Sequence, residues 1–193
     1  MRLGKTIGLM AVAIMAWPGN QVASGGFIEF TDKEEWIAAV GRFTTIDFTG
    51  FPDGTFITDQ YADLGILFVG GNEHIFLNQG FINDGAGLNS GFFTDIVMEF
   101  GTPQAWIAVD FPGLIQFELF SAGELIYTSS EFGIGGVGNF AGLVATDPFD
   151  MAVILDPTGG TANVDDLHFG VPSPGAIALL ALGGLFSTRR RRS

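Results

Sequence analysis

Asp165 and Asp166 stand side by side near the end of the chain, in the run Val164-Asp165-Asp166-Leu167-His168-Phe169. On an extended strand neighbouring side chains face opposite ways, so Asp165 shares a face with Leu167 and Phe169, and Asp166 with Val164 and His168. With Leu167 and Phe169 facing a core, Asp165 becomes a carboxylate at the core edge, and it needs a partner. Backbone N–H groups of a turn would serve. So would a Ca²⁺ ion, whose hard oxygen coordination suits a carboxylate-rich domain. Asp47 and Glu29, near the first strands, are the candidate co-ligands, together with backbone carbonyls. No Asp-x-Asp-x-Asp-Gly loop accompanies them, so calcium rests on the excess of carboxylates.

Catalytic patterns are missing. The two histidines, His74 and His168, lie in no His-Glu-x-x-His motif, and two cannot supply a three-histidine zinc site. They read as surface residues. There is no cysteine, which excludes disulfides, thiolate chemistry and Cys-ligated zinc. No Gly-x-Ser-x-Gly elbow marks a nucleophile. Glu99 and Glu118, expected on neighbouring strands, could be paired as glycosidase carboxylates, but 21 acids make any such choice unspecific. The Gly133–Gly138 run follows no clear strand and opens no helix, so it is a loop rather than a phosphate cradle. No catalytic residue is assigned. Trp106, Tyr61 and Tyr127 would stack on sugar rings if exposed, with the core the favoured place for Trp106. Most of the 20 Phe belong to the core, and Trp36 packs its helix onto the sheet.

These residues need elements to place them. Thr31 to Gly41 predicts a helix, with Thr31 and Glu34 as a capping box, Trp36, Ile37 and Val40 on one face, and Gly41 as the stop. From Phe43 the apolar period becomes two. Ile46 and Phe48 share a face, as do Ile96, Met98 and Phe100, then Ile107, Val109 and Phe111, then Ile115, Phe117 and Leu119. Further strands are expected at 66–69, 125–128, 140–145, 149–155 and 164–169. Breakers such as Phe51-Pro52-Asp53-Gly54, Thr102-Pro103 and Asp156-Pro157 separate the strands. Eight to ten short strands, one helix and no βαβ rhythm predict a mainly β fold, an antiparallel β-sandwich or jelly roll with one short N-terminal helix.

Charge is partitioned along the 193 residues. Residues 25–170 hold all 21 acidic residues but only Lys33 and Arg42 as lysine or arginine, a formal charge of −19. Such a surface repels nucleic acid phosphates, so no nucleic-acid partner is expected. The other six basic residues lie within five residues of one end or the other.

Both ends read as addresses. Arg2 and Lys5 precede an apolar run from Ile7 to Trp17, too short to span a bilayer, and small residues at Val22 and Ser24 frame a signal-peptidase site. Residues 1–24 are thus expected to be a signal peptide, 25–170 the β domain and 171–193 a tail. That tail runs Val171-Pro172-Ser173-Pro174-Gly175, an apolar stretch from Ala176 to Phe186, then Arg189, Arg190, Arg191 and Arg192. The apolar part predicts a short C-terminal transmembrane helix, stopped by the arginines on the cytoplasmic side.

The order of these three parts resembles the PEP-CTERM sorting signal of bacterial exopolysaccharide producers. Ser173 stands where that family usually has glutamate. The resemblance implies cleavage by an exosortase-like transpeptidase near Pro172-Ser173-Pro174. It also implies an inner-membrane intermediate and final delivery to the cell surface or matrix. The domain itself resembles the β-sandwich cargo found with such tails, through Trp36, Ile46-Asp47-Phe48, Tyr61, Gly65, Ile66, Phe68 and Val164 to Phe169. That likeness implies a jelly roll similar to carbohydrate-binding modules. The expected function is therefore a non-enzymatic surface protein that binds exopolysaccharide or another surface component. The alternatives are a purely structural matrix protein and a secreted hydrolase.

Overall fold

Two long apolar-alternating stretches organise the molecule. The computed structural model describes residues 22–24, 26–77, 85–133 and 138–171. Its strands are β1 (Val22–Ser24), β2 (Phe27–Phe30), β3 (Thr44–Ile46), β4 (Ile66–Phe68), β5 (His74–Phe76) and β6 (Gly87–Asn89), then β7 (Ile96–Phe111), β8 (Gln116–Ser121), β9 (Glu124–Thr128), β10 (Asn139–Leu155), β11 (Asn163–Val164) and β12 (Leu167–Gly170). One helix, α1 (Lys33–Ala39), lies between β2 and β3.

β7 and β10 run antiparallel and form the spine of the larger sheet. The first half of β10 carries β2 and then β1, and its second half carries β8 and then β9. The second half of β7 carries β12 and then β3, while its first half carries β4. β5, β6 and β11 make a separate sheet in the order β11-β6-β5. Ile75, Leu88 and Val164 enter from this smaller sheet into the core that the larger one lines. The result is the expected mainly antiparallel β-sandwich.

Sequence expected a break at Thr102-Pro103 and another between residues 145 and 149. Each pair of expected strands is instead one strand. Ile96, Met98 and Phe100 are buried in the same core as Ile107, Val109 and Phe111, although the numbering changes parity between them. One residue must be absorbed on the way, because a one-residue slip turns every side chain to the other face. β10 makes the matching adjustment, with register shifts between Val144 and Phe149 and between Phe149 and Met151. The exposed Pro103 and Pro148 sit in these irregular stretches, where a missing N–H disturbs the ladder least.

Helix α1 is shorter than expected, and its cap differs. Asp32, rather than Thr31, is the N-cap, accepting from the Glu35 N–H at 2.8 Å, and the helix ends at Ala39 instead of running to Gly41. Trp36 is fully buried, as expected, against Phe43 and Phe140 at ring distances of 5.1 and 5.9 Å. Together with Phe30, Ala105, Trp106 and Ala108 these residues form a second core on the helix side of the sheet.

The single strand expected at 164–169 is two. The chain leaves the smaller sheet at Val164, bends at Asp165-Asp166 and enters the larger sheet at Leu167. Val164 and Leu167 both face the main core. Their opposite-face assignment is corrected by that bend.

Candidate functional site

The bend gathers a buried charge seam under α1. Asp110 and the crossing segment share backbone bonds, from Asp110 N–H to the Asp166 carbonyl at 3.0 Å and from Asp165 N–H to the Asp110 carbonyl at 2.7 Å. His168 is buried, not at the surface as expected. Its Nε2 lies 3.4 Å from Asp110 Oδ2 and its Nδ1 2.9 Å from Thr45 Oγ1. Lys33 reaches down from α1 to pair with Asp110, and its Nζ is 3.6 Å from Asp166 Oδ2. Burial by itself would raise the Asp110 carboxyl, but hydrogen bonds from His168 and Lys33, with their charges, hold it below the ordinary value. Ligand atoms of Asp110, Asp166 and His168 lie within 4.8 Å of one another, the one such group among the described residues. The Lys33 ammonium touches both carboxylates and so does the work a divalent cation would do there.

The carboxylates expected around calcium sit in separate settings. Glu29 is buried and accepts from Tyr127 Oη and Ser130 N, both at 2.7 Å, and from the Ser130 hydroxyl. Asp47 is exposed and closes its own turn on Thr49. Asp165 is buried at the core edge, as expected. Sequence reasoning missed Glu73, which is buried and accepts from the backbone N–H of Gly70, Asn72 and Val97 at 2.8, 3.1 and 3.0 Å. Glu99 and Glu118 are not on neighbouring strands. They oppose Met151 and Val153 from either side of β10, which separates them.

The three aromatics that would stack on sugars if exposed all pack inward, which for Trp106 is the favoured core position. Trp106 is buried. Tyr127 lies flat on Phe27 at 4.1 Å and bonds Glu29, and burial, followed by that bond and the Glu29 charge, raises its hydroxyl. Tyr61 packs edge-on against Phe48 and Phe51, and burial with the Asp47 charge pushes its hydroxyl up to about 12.

The exposed aromatics are phenylalanines that composition assigned in bulk to the core. Phe56 is 60% exposed, and Phe92 and Phe93 are 86% and 83% exposed. Phe56 belongs to a row. It bridges to His74 on β5, His74 opposes Asn89 on β6, and Asn89 opposes Asn163 on β11. Residues opposed in register share a face, and Ile75, Leu88 and Val164, one step along, point into the core. The row is therefore the outer face of the smaller sheet, about 14 Å long at the usual strand spacing.

Its polar groups are held in place. His74 Nδ1 is 2.9 Å from the Asn72 carbonyl. A carbonyl only accepts, so Nδ1 carries the proton and Nε2 of the neutral ring is an acceptor. Asn89 accepts from Gly91 N at 2.7 Å and donates to Asn163 at 2.6 Å, and Asn163 donates to the Thr161 carbonyl at 3.1 Å. Each amide nitrogen keeps a second hydrogen. The Phe56 ring leans on His74 at 6.0 Å, and Phe92 and Phe93 project from the loop that follows Asn89.

Of the sorting residues, Val22 and Ser24 lie in β1 and Val171 is exposed just after β12. Pro172, Ser173, Pro174, Gly175 and Arg189 to Arg192 lie outside the described residues, as does most of the signal segment.

No known protein family matches the chain, and no curated protein does either. Among solved structures, a mutant of the family 29 carbohydrate-binding module CBM29-2 aligns at 14% identity and a TM-score of 0.31, over 68% of this chain and 94% of that one. The M60 catalytic domain of Clostridium perfringens ZmpB with its modules CBM51-1 and CBM51-2 aligns at 12% identity and a TM-score of 0.34. That match covers 76% of this chain and 18% of the larger protein. At these scores neither superposition bears on what this chain binds.

Proposed function

We propose that this is an exported protein whose β-sandwich binds polysaccharide through the outer row Phe56–His74–Asn89–Asn163. The supporting observation is that an exposed aromatic, an acceptor and two amide donors fall in one line on the smaller sheet. The Phe56 ring offers an apolar face for the C–H side of a pyranose. His74 and the asparagines offer hydrogen bonds to its hydroxyls, with side chains already fixed, so little freedom is lost on binding. The role is binding, without catalysis.

The two ends support export. Signal peptidase would remove residues 1–24, and β1 with them. An exosortase-like transpeptidase would act at the tail and release the domain to the cell surface or matrix. Fractionation of the host with intact-mass measurement checks this route, and a cytosolic product that keeps both ends ends it.

The binding claim is tested by affinity electrophoresis in host exopolysaccharide, with Phe56→Ala and Asn163→Ala beside the wild type. Phe56→Ala should weaken retardation roughly 10-fold, the scale of one lost aromatic contact with its buried area. Thermal midpoints should hardly move, because these side chains face outward. Unchanged retardation in both variants would remove the row as the binding surface.

A further inference from the structure

A cleft of about 370 Å³ opens on the larger sheet, where β3 and the end of β12 meet the irregular stretch of β7. Arg42, Phe43, Thr44, Leu64, Thr102 and Phe169 line it. It is separate from the row on the smaller sheet, and its chemistry differs. Lys33 and Arg42 are the two lysine or arginine residues in 25–170. Lys33 is committed to Asp110 and Asp166. Arg42 forms no ion pair among the described residues, in a domain rich in carboxylates.

A buried indole packs behind the wall. Trp106 is buried, and its indole N–H finds no acceptor among the described residues. It abuts Gly170, another lining residue, so closely that a Cβ there would come within 2.5 Å of Nε1 and 2.7 Å of the Arg42 carbonyl. The cleft therefore combines a guanidinium, hydroxyls from Thr44 and Thr102, and apolar faces from Phe43 and Leu64.

We propose that this cleft takes the carboxylate of a uronate residue in the bound polysaccharide, an inference that rests on the polysaccharide reading above. A planar guanidinium matches a carboxylate with two parallel hydrogen bonds, while the apolar wall accepts the sugar ring. The charge of −19 across residues 25–170 repels a run of closely spaced anions, so the glycan class is one whose carboxylates are isolated between neutral sugars.

The test is calorimetric titration of the intact chain with a short hyaluronan oligosaccharide, in which uronate and neutral sugar alternate, and with the same oligosaccharide after carboxyl reduction. The wild type should bind the acidic form roughly 10- to 100-fold more tightly, the scale of a charge-assisted hydrogen-bonded pair. Arg42→Gln should erase that preference and Arg42→Lys should keep part of it, with thermal midpoints unchanged because Arg42 is exposed. Phe56→Ala, which lies outside the cleft, should leave the preference intact. Equal binding of the two forms by the wild type, or a preference surviving in Arg42→Gln, overturns the cleft assignment and leaves the polysaccharide reading standing. No binding of either form, with host exopolysaccharide also ignored, overturns both.

Discussion

Asp110 is the residue on which the seam beneath α1 turns, because it meets Lys33, His168 and the backbone of the crossing segment. Its folded value lies below the ordinary 3.8, so the folded state favours the charged form. The stability this contributes is complete above the ordinary value and is lost as pH falls through the lower, folded one. Urea midpoints measured against pH should therefore drop below about pH 4 in the wild type. Asp110→Asn should be less stable at neutral pH by about 1–3 kcal/mol, the range for a buried group that loses a charged partner, and its acid limb should be flatter. An Asn variant that matches the wild type at every pH would mean the seam holds nothing. Lys33, Asp166 and Thr45 are the other polar groups around this site, and sequence gave no spacing that joined them.

At the scale of elements, α1 is held by one side chain more than by its seven residues, which are too few for a stable isolated helix. Trp36 fits because position 142 in β10 has no side chain. A Cβ there would come 2.5 Å from Trp36 Cδ1 and 3.0 Å from Phe140 Cε1, closer than carbon atoms pack. Gly142→Ala should thus cost about 1–3 kcal/mol, as overpacked cores do, and a denaturant melt would read it. A neutral result would show that the helix moves aside freely. The smaller sheet shows the opposite economy, since its strands are three, three and two residues long. Such short strands carry few side chains outward, which is why the row is narrow and in strict register.

The whole molecule separates sign of charge from place of binding. Lysine and arginine in 25–170 comprise one residue locked in the seam and one left in a cleft, amid 21 carboxylates. Neutral sugars on the outer row feel little of that field, so their affinity should change less than about twofold as added salt shrinks the Debye length from ~10 to ~3 Å. Surface plasmon resonance over a salt series reads this directly. A steep fall with salt would mean that charge, and not the row, carries the binding.

The sequence alone determined the β class and most of the inward faces of the strands. Both are local properties: period-two alternation marks Ile96, Met98 and Phe100 as one face. Even the wrong breaks at Thr102-Pro103 and near Pro148 were faithful readings of a real change of phase, which two long strands absorb without ending. Only the tertiary structure decided which carboxylates meet, which of the aromatics stay outside, and that His168 is buried. Those outcomes depend on pairings between segments far apart in the chain, such as Asp110 with His168 and Phe56 with Asn163 across two intervening strands. Composition cannot separate an exposed Phe56 from a buried Phe48, because burial belongs to the partner that covers a residue and not to the residue itself.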